Sequence, residues 1–140
     1  MSMKLEISPE PGFLRADAVG EFSLGEAKRT FLEILDAVAK LKANKVLFDG
    51  RGLAGKPETM ERFYYGEFVA KSVAEFANRG VSRATKFAYV LEHPVLDPRR
   101  FGETVAVNRG MSVKTFDNLE GALQWLRVES ANNADAGDSR

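Results

Sequence analysis

The chain has 140 residues, 44% hydrophobic and 29% charged, with 20 basic side chains balanced by 20 acidic ones. That composition suits one globular domain with a real core, and the zero net charge excludes a global field drawing the protein onto nucleic acid or an anionic bilayer. Cysteine is absent and His93 is the single histidine, which excludes disulfides, thiol catalysis and metal sites built from thiolates or several imidazoles.

The N-terminus lacks the apolar run of ~7–15 residues that a signal peptide needs, and nowhere is there the ~18 needed to span a bilayer, so a cytoplasmic location is expected. Lys4-Leu-Glu-Ile-Ser8 alternates apolar and polar side chains, Pro9-Glu-Pro-Gly12 is turn chemistry, and Phe13-Leu-Arg-Ala-Asp-Ala-Val19 completes a predicted hairpin. Ser23 with Glu26 has capping-box spacing and opens a helix through about Lys42. Leu24, Ala27, Phe31, Ile34, Leu35, Val38 and Leu41 share its sheet-facing side. Lys45-Val-Leu-Phe-Asp49 and Lys86-Phe-Ala-Tyr-Val-Leu91 read as strands buried on both sides. Between them Pro57-Glu-Thr59 starts a helix ending near Asn78-Arg-Gly80. Asp97 as N-cap, with Pro98 at the first helical position, opens a third helix that stops at Asn108-Arg-Gly110. Ser112-Val-Lys-Thr-Phe116 is the last strand, and Asp117 or Asn118 caps a helix over Leu119–Leu126. The expectation is one α/β domain over residues 1–128, a mixed and largely parallel five-stranded sheet with about four helices, then a polar, disordered tail over 129–140.

Two stretches are candidates for function. Gly50-Arg-Gly-Leu-Ala-Gly-Lys56 matches Gly-x-x-x-x-Gly-Lys between a strand and a helix, the place for a phosphate-cradling loop, but Pro57 follows where such a loop needs a hydroxyl and a backbone N–H. A weaker anion or head-group site remains in the crevice at the carboxyl ends of the strands, with Arg51 and Lys56 from one loop and His93, Arg99 and Arg100 from the other. Glu58, Glu92 and Asp97 lie close enough in sequence to neutralise it. No nucleophile pattern accompanies His93, so no catalytic residue, cofactor or metal is expected.

The second stretch is the helix after Pro57. Phe63, Tyr65, Val69, Ala70, Val73, Ala74, Phe76 and Ala77 take the sheet-facing arc, with Arg62 at its edge, and Glu61, Glu67, Lys71, Ser72 and Glu75 the solvent arc. Met60, Tyr64 and Phe68, at i, i+4 and i+8, fall in the solvent arc as an apolar ridge rimmed by charge, the pattern of a docking surface.

The element order, the strand Val46-Leu-Phe-Asp49 running into a glycine-containing turn, and the ending Val113-Lys-Thr-Phe-Asp-Asn-Leu-Glu-Gly-Ala-Leu-Gln-Trp-Leu126 resemble the SpoIIAA-like branch of the STAS superfamily over roughly residues 3–128. The resemblance implies a non-enzymatic binding or regulatory module. Kinship in fold with lipid-carrying CRAL-TRIO domains implies an amphipathic ligand or a membrane surface as its target. A protein partner, a homodimer through Met60, Tyr64 and Phe68 in its simplest form, is the other expectation. The phosphorylatable serine of anti-sigma-factor antagonists is missing after the third strand, and the first hydroxyl is Thr59, so an antagonist-type regulator would need an altered mechanism. A phosphate-handling enzyme on the Gly50–Lys56 run is the remaining alternative.

Overall fold

The computed structural model describes residues 3–127; the tail expected over 129–140 lies outside the described residues. Strands β1 (Lys4–Glu10) and β2 (Phe13–Glu21) pair antiparallel, and β3 (Lys45–Ala54), β4 (Lys86–Val90) and β5 (Ser112–Phe116) add in parallel, so the five-stranded sheet runs β1-β2-β3-β4-β5. The helices are α1 (Leu24–Leu41), α2 (Thr59–Glu75, extended by a 3-10 turn over Phe76–Arg79), α3 (Phe101–Asn108) and α4 (Leu119–Leu126). Each parallel crossover steps the same way across the sheet, and a right-handed crossover then places its helix on the same face every time. Accordingly α1, α2 and α3 share one face, over Leu14, Ala16, Phe48, Phe87, Tyr89 and Val113, while α4 folds onto the other and seats Ala122 and Leu126 on Leu47, Ala88 and Val90. This two-sided cover is why residues 46–48 of β3 and 87–90 of β4 are unbroken runs of apolar and aromatic side chains.

Helix α1 follows its amphipathic pattern: Phe31, Ile34, Leu35 and Val38 are fully buried, whereas Leu41, expected with them, stands exposed at the helix end. Ser23 Oγ accepts from the Glu26 N–H at 3.3 Å, but the Glu26 carboxylate does not close the expected box. It accepts instead from the Met3 N–H and from Arg29, at 3.3 and 2.7 Å, fastening the strand entry to the helix.

Two boundaries differ from expectation. The third strand does not stop at Asp49; residues 50–54 continue it against β2, with a register shift opposite Asp17 and Val19 that marks a bulge. Its glycines relieve crowding inside a sheet: a Cβ on Gly50 would lie 2.7 Å from Leu91 Cδ2, and one on Gly52 2.6 Å from Val19 Cγ1. The third helix opens at Phe101, not Pro98, because Arg100 takes a left-handed backbone conformation (φ 52°) that separates it from the preceding turn. Asp97 caps that turn, accepting from the N–H groups of Arg99 and Phe101 at 3.1 and 2.8 Å.

Helices α2 and α3 cross with their backbones in contact. A Cβ on Gly66 would sit 2.4 Å from the Gly102 carbonyl oxygen, and one on Gly102 3.0 Å from that of Arg62. Because the obstacle is backbone, a methyl group there forces the helices apart, at about 1–3 kcal/mol, which outweighs the ~1 kcal/mol an alanine gains in helix propensity. Gly66→Ala is therefore expected to lower the urea midpoint, while Gly25→Ala, whose Cβ meets nothing within 4 Å, holds or raises it. Equal stability of Gly66→Ala and the parent protein would contradict the crossing.

Candidate binding site

At the carboxyl ends of β3, β4 and β5 the helix layer stands off the sheet and leaves a cavity of about 110 Å³. Phe48, Tyr89, Val113 and Thr115 form its floor, α1 contributes Ala27 and Thr30, and α2 and α3, held at their glycine crossing, contribute Tyr65, Val69 and Ala106. The walls are mostly apolar. Tyr65 and Tyr89 meet across it, hydroxyl to hydroxyl, at 2.6 Å. Burial pushes the Tyr65 phenol well above its ordinary value, and burial with the neighbouring phenol does the same for Tyr89, so both are neutral over the physiological range.

Arg62 does not run free to solvent as its place at the arc edge suggested. Its guanidinium donates to the carbonyls of Val95 and Pro94 at 2.9 and 3.1 Å, stapling α2 to the loop after β4. Glu103 accepts from the Thr115 N–H at 2.7 Å and ties α3 to β5. Arg100 also lines the cavity, and its Nε is buried without a hydrogen-bond partner.

Among the basic residues expected to share a crevice, the structure brings Arg100 alone to the cavity. Arg99 and Lys56 are exposed outside its lining, as is His93, which precedes Pro94 through a cis peptide bond. Arg51 sits on the opposite face of the sheet. There Asp49 accepts from Arg51 Nη2 and Nε at 2.7 and 2.9 Å and from Arg15 Nη2 at 2.7 Å, while Arg15 Nε reaches Asp17 at 3.1 Å. The glycine turn read over Gly50–Lys56, and with it the alternative of a phosphate cradle, is not formed, because residues 50–54 are sheet. Sequence reasoning missed Tyr65 and Tyr89 as a pair; a tyrosine inside the otherwise apolar run Lys86-Phe-Ala-Tyr-Val was the available signal.

The predicted ridge is redrawn. Met60 and Tyr64 are 53% and 45% exposed, but Phe68 is half-buried toward α1, with Lys28 Nζ 5.3 Å from its ring centre. Ser72, expected in solvent, is buried. Phe63, expected against the sheet, lies between α2 and α3, 5.6 Å from the Tyr64 ring and 6.2 Å from that of Phe101, with the Arg109 guanidinium above it at 5.6 Å. The apolar surface therefore turns from α2 onto α3 as a strip of exposed Met60, Tyr64 and Phe101 around half-buried Phe63.

A sequentially ordered, mixed five-stranded sheet with α1–α3 on one face and α4 on the other is a SpoIIAA-like fold. The solved structures similar to it include the following two. An anti-sigma factor antagonist from Mycobacterium paratuberculosis superposes with a TM-score of 0.57 at 16% identity, over 90% of this chain and 95% of that one. An uncharacterised protein of the DUF3478 family from Shewanella loihica PV-4, described as having a SpoIIAA-like fold, gives 0.51 at 17% identity, over 89% and 94%. No family model and no curated protein matches the sequence.

The Asp49 cluster carries a pH signature. Hydrogen bonds from Arg51, with the nearby Arg15 charge, hold the Asp49 carboxyl below its ordinary 3.8. A depressed folded value means stability that is present above the unfolded value and lost as pH falls through the folded one. Asp49→Asn is thus expected to be less stable than the parent at pH 7, with the gap narrowing below about pH 3.8. Urea unfolding at both ends of that range measures it, and a pH-independent gap would be the contrary result.

Proposed function

We propose that the protein is a non-enzymatic regulatory module that engages another protein through the strip of Met60, Tyr64, Phe63 and Phe101. The observation that carries this reading is where apolar surface stays wet. Met60, Tyr64, Phe101 and Val107, all on α2 and α3, are four of the seven large hydrophobic residues exposed among the described residues, the others being Val19, Leu32 and Leu41. Covering a large apolar side chain is worth ~1.5–3 kcal/mol, and Tyr and Arg, here Tyr64 beside Phe63 and Arg109, are enriched where interfaces hold their energy. A stable dimer buries about 800 Å² per partner, more than a few side chains supply, so the strip suits a transient contact. A second copy is its simplest partner.

The likeness to an anti-sigma factor antagonist supports a protein target over a bilayer, as does Glu61, which borders the strip and would repel anionic lipid, while Glu67 is paired with Arg109. Thr59 is exposed at the first position of α2, beside Met60, and would serve an antagonist-type switch only by an altered mechanism. The cavity favours a second reading, in which the module also takes an amphipathic ligand. Its volume of about 110 Å³ restricts that ligand to something far smaller than a long acyl chain.

The double variant Met60→Glu, Tyr64→Glu changes only exposed positions, so its stability is expected to stay within ~0.5–1 kcal/mol of the parent. Affinity capture of partner proteins and self-association by sedimentation velocity are expected to fall about tenfold or more. A folded variant that captures and associates as the parent does would refute the strip.

A further inference from the structure

We infer that the cavity beneath α2 and α3 is a site for a small monocarboxylate with a compact apolar body, its oxygens accepting from Arg100 Nε and from a hydroxyl of the Tyr65–Tyr89 pair. The inference rests on the second reading above and is independent of the aromatic strip.

Size sets the body. An apolar cavity of about 150 Å³ holds benzene, so this one, of about 110 Å³, takes nothing larger than a single small ring or a short branched chain. Phe48, Val69, Ala106 and Val113 offer such a body dispersion contacts on several sides.

Donor accounting sets the head group. Two neutral phenols sharing one hydrogen bond leave one hydroxyl hydrogen without an acceptor. Arg100 Nε–H is a second unmet donor, and Arg100 forms no salt bridge among the described residues. Several nearby acceptors serve other groups: Asp97 the N–H groups of Arg99 and Phe101, one Glu103 oxygen that of Thr115, and the Pro94 and Val95 carbonyls Arg62. A buried donor left unmet costs free energy. Water meets such a donor only by bringing hydrogens that need acceptors of their own, whereas an ionised carboxylate is acceptor-only. The formal charges of Arg62 and Arg100 balance those of Asp97 and Glu103 around the cavity, so selection comes from the surplus of donors. The left-handed backbone of Arg100 (φ 52°) is an uncommon conformation for a side-chain-bearing residue, sited in the cavity wall.

Benzoate, with toluene as the same ring lacking acceptors, is the direct probe. Both are titrated into the full chain while the methyl NMR signals of Val69 and Val113 are followed. Saturable shifts with benzoate are expected, weakened about tenfold or more in Arg100→Gln, weakened less in Tyr89→Phe, and abolished in Ala106→Leu, which fills the space. Toluene binding is expected to be the same in Arg100→Gln as in the parent, which also shows that this variant is folded. If toluene saturates and benzoate does not, or if Arg100→Gln binds benzoate undiminished, the carboxylate assignment is overturned. If neither probe enters, the ligand reading falls with it. The Met60→Glu, Tyr64→Glu variant is expected to bind benzoate as the parent does, so loss of the strip and loss of the cavity site register separately.

Discussion

Gly66 and Gly102 allow α2 and α3 to touch backbone to backbone, and most of the helical face is set by that contact. Side chains of ordinary size at the crossing would spread the helices and either open the space beneath them to solvent or close it by tilting. With the axes held this near, Tyr65 and Val69 reach down on one side of the crossing and Ala106 on the other, and the gap that remains is walled mostly by carbon. The same contact brings Phe63 against Phe101 and carries the apolar surface from one helix to the next. A single steric requirement thus shapes both the interior cavity and the exterior strip.

The sheet has two different faces for a topological reason. Crossovers that never reverse direction give all three connecting helices to one side, so among the described residues the other is covered by the helix after the last strand. Helix α4 is eight residues long and covers the β3–β5 portion. Toward β2 the same face carries charge, and Arg15, Asp17, Asp49 and Arg51 satisfy one another there in place of an apolar cover. Asp49, the most buried of them, accepts from two arginines on adjacent strands, which joins β2 and β3 by side chains close to where the bulge interrupts the ladder.

The element order, the strand directions and the α1 core face were legible because each rests on a local pattern that the packing does not override. Leu5 and Ile7 alternate, Ile34, Leu35 and Val38 recur at helical spacing, and Pro57 and Asn118 stand where helices begin. What was not legible depended on contacts distant in sequence. Gly50 and Gly52 look like a loop until Leu91 and Val19 are seen to press on them. The wheel placed Phe63 on the sheet because a wheel has one inward direction, while α2 has three neighbours, the sheet, α1 and α3. For the same reason Phe68 and Ser72 turned out less exposed than their arc implied, since α1 packs alongside. The cavity was partly legible through Arg100; the tyrosines that define its polarity lie on different elements and could not be paired without the register of β4 against α2.

The strand order also bears on how the chain is made. Every strand after the first pairs with the one synthesised just before it, so a growing chain leaving the ribosome always finds its template already in place. Each step closes only a single crossover, an entropic cost that rises slowly with length. Assembly can proceed vectorially from the amino end, and the open edge of each strand waits only for the next strand to be translated.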